Sequence, residues 1–283
     1  MAIESTAITD DVMFQNVMKD PVTCQMLIQS ILPKLKIERL EVHTQERVVD
    51  DRKHKSVIMD IWAKEMGKDG PARQYDVEMQ VADQHHMDLR ARYYMSRLDT
   101  ESLRAGKNYS ELPPSYVIFL CPFDPMGTGL REYDFVYRCN QDFALALDTR
   151  TEIIYLNSVG DKGEVSTDLQ NFFKLMNGET APRTKFTNKI QFRMDAYSRT
   201  PEWRDHRMYI DTLVNEGKKA GKQEGIQEGI KKGKQEGKRE SIINTIKAMR
   251  GERTADADIL NLLKKIYGSD YSSDELKQFM KEN

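Results

Sequence analysis

The chain has 283 residues, enough for one large domain or two modest ones; 31% of them are charged, and the formal net charge is −2. No apolar run approaches the ~20 residues of a membrane span, and the first eleven residues carry acidic but no basic side chains, which argues against a secretory signal. The slight negative charge lacks the global signature of a nucleic-acid-binding protein, and three scattered cysteines without a CxxC pair predict a reduced, cytoplasmic protein without a structural zinc site.

The N-terminal part predicts two helices and a first strand. Thr9-Asp10-Asp11 precedes apolar residues at helical spacing and suits a helix N-cap, and Pro21 suits the first turn of a second helix. Residues 40–49 alternate loosely and end in β-branched residues, which favours a strand.

Two strands with acidic residues follow. Residues 57–63 form an apolar run whose one charged member is Asp60, and residues 75–81 alternate strictly, which is the strand period. Between them, Asp69-Gly70-Pro71 is a strong turn signal. The pattern is typical of two neighbouring strands joined by a turn.

The next part of the chain predicts an alternation of helices and strands. It begins with a helix from Asp83 to about Gly106. Further strands are predicted at residues 116–121, near 132–138 and at 152–156, and two or three helices continue to about Asn215. Residues 1–215 are therefore expected to form one domain.

A glycine at every fourth position from Gly217 to Gly237 marks the C-terminal part, and residues 217–240 carry eight Lys/Arg and four Glu, a charge of 8 − 4 = +4. A helix here would lose about 1 kcal/mol per glycine relative to alanine. The composition favours a solvated spacer over residues 216–240; a basic rod that touches phosphates and a glycine seam between two chains are the alternatives. Residues 241–283 predict a small helical segment, with helices at 241–250, 256–267 and 274–281, and hint at a homodimer because they are too few to bury a large core alone.

Acidic side chains on the two middle strands are the strongest chemical signal in the sequence. Burying a carboxylate costs several kcal/mol unless it is paired or metal-bound, so Asp60 within an apolar run needs a partner. Asp76, Glu78 and Gln80 share one face of the next strand, and an antiparallel pairing around Asp69 brings Asp60 opposite Glu78. Two converging carboxylates suit Mg²⁺, which prefers oxygen ligands; the alternative is that these acids lie on the surface of a half-exposed sheet.

Seven short motifs follow one another along the chain. They are Thr9-Asp10-Asp11-Val12-Met13-Phe14, Met59-Asp60-Ile61-Trp62-Ala63, Tyr75-Asp76-Val77-Glu78-Met79-Gln80, Arg90-Ala91-Arg92-Tyr93-Tyr94, Gly106-Lys107-Asn108-Tyr109, Leu112-Pro113-Pro114 and Glu202-Trp203-Arg204. This ordered set, which spans most of residues 5–215, resembles the recombination-promoting nuclease family, also described as PD-(D/E)XK nuclease family transposases. The resemblance implies a restriction-endonuclease-like α/β core, a central mixed sheet flanked by helices, here with an α-helical C-terminal extension.

The resemblance also implies a catalytic centre. Asp60 and Glu78 are expected to bind Mg²⁺, or Mn²⁺ as a substitute, with the backbone carbonyl of Met79, and DNA is the expected substrate. Gln80 stands where the wider superfamily has a lysine. Glutamine can orient a water molecule by hydrogen bonding, but it brings no charge to stabilise hydroxide.

Three more residues match family positions. Asp11 resembles an acidic position of the family's first helix, so it is a candidate neighbour of the metal ligands or a third ligand, with a plain helix cap as the alternative. Arg90 and Tyr94 lie four residues apart and so share a helix face. They are expected to hold a phosphate of DNA or to brace the carboxylates, with a packed tyrosine beside a surface arginine as the alternative.

Two functions of different classes are compatible with these features. The first is a Mg²⁺-dependent DNA endonuclease in recombination, transposition or defence against foreign DNA. The second is a catalytically inactive DNA- or protein-binding regulator on the same fold. Gln80 and the mildly acidic total favour the regulator, whereas the pair of Asp60 and Glu78 favours the enzyme, because a regulator has no need of two converging acids.

Overall fold

The structure is a computed structural model that describes residues 6–48, 57–67, 73–83, 85–103 and 105–282. It divides into two compact units, Met1–Arg204 and Asp205–Asn283. The turn predicted at Asp69-Gly70-Pro71 lies outside the described residues. Within the described part of the chain, no helix combines the length and the apolar character needed to cross a membrane.

A mixed sheet forms the centre of the first unit. Its strands are β1 (Leu40–Val48), β2 (Val57–Glu65), β3 (Gln74–Met79), β4 (Ser115–Cys121), β5 (Glu132–Phe135) and β6 (Thr151–Asn157). They lie in the order β1-β2-β3-β4-β6-β5. The pairs β3–β4 and β4–β6 are parallel, and the other neighbours are antiparallel. The predicted mixed sheet is therefore confirmed.

Helices cover both faces of this sheet. One face carries α1 (Asp11–Met18), α2 (Pro21–Ile31), α4 (Thr167–Met176) and α5 (Lys185–Ser198), whose apolar residues form the larger core with the inner residues of the strands. The other face carries α3 (Met87–Ser102), which packs through Met87, Ala91, Met95 and Leu98. The α/β core predicted from the sequence, a sheet flanked by helices, is confirmed.

Local sequence signals set where the first two helices begin, and the backbone conformation of His86 sets where the third begins. Asp10 caps α1 by accepting a hydrogen bond from the amide of Met13 at 3.0 Å. Asp20 caps α2 in the same way, with Pro21 in the first turn. The expectation that α3 opens at Asp83 is wrong, because His86 adopts a left-handed conformation with φ 71° and the helix starts after it.

The second unit is helical. Helix α6 (Pro201–Gly251) begins in the first unit and continues into the second, where α7 (Asp256–Tyr267) and α8 (Ser273–Glu282) follow. Six apolar residues of the second unit are buried together, namely Ile242, Ile246, Ile259, Leu263, Leu276 and Met280. The prediction of a separate helix at residues 241–250 is wrong in one respect. This segment is helical, but it is the end of α6, because the glycine repeat before it is helical as well.

Candidate metal centre

Strands β2 and β3 stop pairing where the two predicted carboxylates lie. Their antiparallel ladder ends with Ile61 opposite Val77, and Asp60 and Glu78 are the next positions in the same register. Beyond this point β2 stays paired with β1, and β3 stays paired with β4. The sheet therefore opens into a fork between β2 and β3, and the structure brings Asp60 and Glu78 together inside it.

The carboxylates bind main-chain amides at the fork. The Asp60 amide donates to Glu78 Oε1 at 2.9 Å, and the Met79 amide donates to Asp60 Oδ2 at 3.1 Å. From α1, Gln15 Nε2 donates to Asp60 Oδ1 at 3.1 Å. Each acid thus replaces a strand-to-strand hydrogen bond, and both side chains are fixed by donors from other parts of the chain.

Strict strand alternation fails at Asp60. Met59 and Ile61 are two positions apart, yet Met59 is buried with the residues of α3 and Ile61 is buried in the larger core on the opposite face. The local irregularity explains how Asp60 reaches both Gln15 of α1 and the amide of Met79. Sequence patterning assumes a regular period of two residues, so it could not have revealed this contact.

Asp76 lies beside Glu78 on the same face of β3. Its side chain is 0% exposed, and neither of its oxygens accepts a hydrogen bond from an N–H or O–H donor in the described residues. The carboxyl of Glu78 lies within hydrogen-bonding reach of Asp76, so the two groups can share a proton. Since Glu78 is also buried, the interpretation of these two residues as surface acids is wrong.

Arg90 of α3 connects the polar side chains of β3. Its Nη1 donates to Gln80 Oε1 at 2.7 Å, and its Nη2 approaches Glu78 Oε2 at 3.5 Å and donates to the Tyr94 hydroxyl at 3.1 Å. Gln80 Nε2 donates in turn to the carbonyl of Ala82 at 2.6 Å. The Gln80 amide therefore keeps one donor and one acceptor position for a water molecule or a phosphate.

Burial and like charge govern the ionisation of these acids. Burial raises the pKa of Asp60, the charge of Asp11 adds to the rise, and hydrogen bonds oppose it. Burial and then the charge of Asp60 raise the pKa of Glu78 to about 7. Burial and then Glu78 raise the pKa of Asp76 well above its ordinary value. The surroundings of all three acids disfavour their ionised forms, so the arrangement is unfavourable unless a cation binds between them.

The groups of the fork fit a divalent cation of the hard class. The donors are carboxylate oxygens, which Mg²⁺ and Mn²⁺ prefer, and the carbonyl of Met79 lies at the same point of β3. The charged groups that act on Asp76 are two carboxylates and the guanidinium of Arg90, so the local charge is negative. Asp60 is only partly buried and leaves the fork open to solvent on its side.

Asp11 is the first residue of α1 and does not occupy the N-cap position. It is exposed in the first turn of α1, where the cap is Asp10, so the plain-cap interpretation of Asp11 is wrong. Its charge nevertheless acts on Asp60. A role of Asp11 as a metal ligand stays a prediction, as does a contact of Arg90 or Tyr94 with DNA.

Sequence reasoning missed two members of the fork. Gln15 lies in α1 and was not identified from the sequence. The one available signal was that it is a polar residue among apolar residues that are buried. Asp76 carried a signal in its parity with Glu78, but parity gives a face of the strand and does not reveal that both oxygens would lack donors.

A comparison with protein families agrees with this geometry. The model of one family, described as PD-(D/E)XK nuclease family transposase, matches residues 12–188, which is more than half of the chain and includes every residue of the fork named above except Asp11. Searches among curated proteins and among solved structures gave no match.

Proposed function

Because the chain belongs to the PD-(D/E)XK nuclease family transposases, we propose that it is a Mg²⁺-dependent DNA endonuclease that hydrolyses phosphodiester bonds during recombination or transposition or in defence against foreign DNA. One observation carries the proposal: Asp60 and Glu78 converge at a fork in the sheet, where Glu78 accepts a hydrogen bond from the Asp60 amide and Asp60 accepts one from the Met79 amide. The fold of the sheet does not require two converging acids at this place. A cation that must contact a phosphate, in contrast, is suited by such a pair.

Each residue of the fork has a role in this proposal. Asp60, Glu78 and the carbonyl of Met79 hold the cation, for which Mn²⁺ is a substitute. When bound, the cation polarises a phosphoryl oxygen and lowers the pKa of a water molecule. Gln80 orients the attacking water through the amide positions that its internal hydrogen bonds leave open. Gln15 keeps Asp60 in its orientation.

Arg90 supplies the positive charge that Gln80 lacks. Its guanidinium lies between Glu78 and Gln80 and is fixed by Tyr94. An arginine stays protonated in proteins and presents several donors, so it can balance the negative charge that develops on a phosphate. This arrangement answers the concern that a glutamine in place of lysine leaves the centre without a cationic side chain.

The test is cleavage of supercoiled plasmid in Mg²⁺ at low salt, because DNA affinity falls steeply with ionic strength. We expect Asp60→Asn and Glu78→Gln each to lower the cleavage rate by at least 100-fold, because each removes a ligand of the same cation. Matched controls are Asp134→Asn and Glu152→Gln, which remove acids of raised pKa from β5 and β6. Both controls should cut like the parent. Equal cutting by Asp60→Asn and the parent would place the chemistry elsewhere.

A second candidate function is a catalytically inactive DNA- or protein-binding regulator. The observation that favours it is the engagement of both ends of the Gln80 amide by Arg90 and Ala82. The same plasmid separates the two functions: a regulator retards the DNA in a gel without nicking it, with or without Mg²⁺. A cytoplasmic location and a homodimer through residues 241–283 stay predictions.

A further inference from the structure

Asp76 is a buried acid that the proposed mechanism does not use. Among the residues that the structure describes, it is the one carboxylate with both oxygens buried and without a hydrogen-bond donor. Buried polar groups almost always have partners, and an unpaired buried carboxylate costs several kcal/mol. Glu78 can satisfy one oxygen of Asp76 only by sharing a proton with it, which leaves the other oxygen without a partner. That oxygen is a place where something else can bind in the working protein.

The surroundings of Asp76 point to a cation. The charged side chains that act on it are Glu78, Asp60 and Arg90. With all acids ionised, three carboxylates and one guanidinium sum to −3 + 1 = −2, and one divalent cation brings this sum to zero. Neutrality matters here because unbalanced charge is most costly in a buried, poorly solvated place.

The strand geometry allows a shared ligand role. Asp76 and Glu78 are two residues apart on β3, so their side chains leave the same face of the strand next to each other. Asp60 occupies the position opposite Glu78 across the fork. The three carboxyl groups therefore occupy neighbouring positions on two strands. Their oxygens do not all lie within 4.8 Å of one another, so a shared cation would draw the side chains together. Oxygen ligands in this number suit Mg²⁺ or Mn²⁺, which fill their remaining positions with water.

We propose that Asp76 is a third carboxylate ligand of the divalent-cation centre, beside Asp60 and Glu78. The inference rests on the proposed function in one respect, because it requires this centre to bind a cation. It adds a residue that neither the motif around Glu78 nor the sequence pattern identifies as a ligand. A centre with three carboxylates also holds a dication more tightly than one with two, since each ionised ligand adds attraction at short range.

The experiment measures Mn²⁺ binding directly, by calorimetry and by electron paramagnetic resonance of the free ion. Asp76→Asn keeps the size of the side chain and removes its charge. We expect the dissociation constant for Mn²⁺ to rise at least tenfold in this variant, with an unchanged circular dichroism spectrum. Asp134→Asn, the control on β5, should bind Mn²⁺ like the parent.

The outcomes separate the two proposals. If the parent binds Mn²⁺ and Asp76→Asn binds it equally well, Asp76 is a neutral structural acid and the inference is overturned, while the proposed function stands. If the parent binds no Mn²⁺ and cuts no DNA, the proposed function fails first and takes the inference with it. A parent that binds Mn²⁺ but does not cut, with weakened binding in Asp76→Asn, supports the inference and contradicts the enzyme.

A second measurement does not depend on the variant's folding. The parent is labelled with ¹³C at its aspartate carboxyls and loaded with Mn²⁺, and electron–nuclear double resonance counts the coupled aspartates. Two couplings are expected if Asp60 and Asp76 both bind the cation. A single coupling that disappears in Asp60→Asn would overturn the inference.

Discussion

At the scale of single residues, the balance of charge around Arg90 determines how substitutions of its neighbour Gln80 change cleavage. The guanidinium lies 2.7 Å from Gln80 Oε1 and 3.5 Å from Glu78 Oε2. A positive group is therefore already present beside the position where the wider superfamily has lysine. A second cation at this position would meet the first at short range, in a partly buried place where like charges repel strongly.

Gln80→Lys is consequently expected to lower cleavage at least tenfold. The new ammonium loses the hydrogen bond from Arg90 and faces its guanidinium instead. From the sequence alone the same substitution is expected to leave cleavage unchanged or to raise it if the ammonium does not repel the metal ion, because it restores the charge that the wider superfamily has there. The measurement is the rate of plasmid loss in Mg²⁺ under single-turnover conditions.

The matched partner of this variant is the double substitution Gln80→Lys with Arg90→Gln. It keeps one positive charge and one amide but exchanges their positions, so it should recover much of the loss seen in Gln80→Lys. A double-mutant cycle gives the coupling between the two sites. Additive effects would show that Arg90 and Gln80 act independently and would contradict the account of charge given above.

The raised pKa of Glu78 gives the metal-free protein a definite pH dependence. In the folded protein the pKa is about 7, against an ordinary value of 4.5. Between these values the folded state holds more protons than the unfolded chain, so the free energy of unfolding falls as the pH rises. We expect a loss on the order of 1–3 kcal/mol across this window, measured by urea unfolding in EDTA.

Glu78→Gln should reduce that slope, because the amide does not titrate; the part that remains comes from Asp76, whose pKa is also raised by burial. Glu179→Gln changes an exposed glutamate and should leave the slope in place. Stability that increases with pH over the same range in the parent would mean that Glu78 is ionised in the folded, metal-free protein at low pH.

At the scale of elements, helix α6 is notable for its glycines. Its residues from 211 to 241 are all exposed, and a Cβ added at any glycine from Gly217 to Gly237 would meet no atom within 4 Å. Four residues exceed one helical turn of 3.6, so the glycines advance by about 40° at each repeat and do not form one straight face. A straight glycine seam between two such helices is therefore not available along the whole repeat.

Alanine at these positions should stabilise the helix. Gly225→Ala and Gly229→Ala are each expected to contribute about 1 kcal/mol, because alanine gains helix propensity and meets no neighbour. Hydrogen exchange of the surrounding amides should slow about fivefold for each substitution. The opposite control is Gly160→Ala, whose Cβ would lie 2.7 Å from the carbonyl oxygen of Leu130 and should destabilise the first unit. Unchanged exchange in α6 would mean that other contacts already protect it.

At the scale of the whole molecule, the sequence predicted the layers and the sheet but not the details that shape the fork. Alternation revealed β3, and the odd acid in an apolar run identified Asp60. Parity allowed a pairing that puts Asp60 opposite Glu78 without fixing the register, and the structure has this register. These features were accessible because they depend on residues close together in the chain.

Other features depend on contacts between distant residues. Gln15 reaches Asp60 across 45 positions, and no local pattern indicates such a contact. The glycine repeat looked unfavourable for a helix on propensity alone, yet it is helical, with support from charged pairs one turn apart such as Glu228 and Lys232 at 2.8 Å. In both cases the local preference of the sequence is one contribution to the stability of the observed structure, and tertiary or side-chain interactions supply the other contributions.

The direction of the β2–β3 ladder has a consequence for how the chain tolerates extra sequence. The connection leaves β2 after Glu65 and enters β3 at Gln74, whereas the fork lies at the other end of the same ladder. Five strand residues, about 17 Å, separate Glu65 from Asp60. Doubling the length of such a connection costs only about 0.6 kcal/mol in loop closure. A peptide tag or fluorophore inserted there would leave the carboxylates where they are.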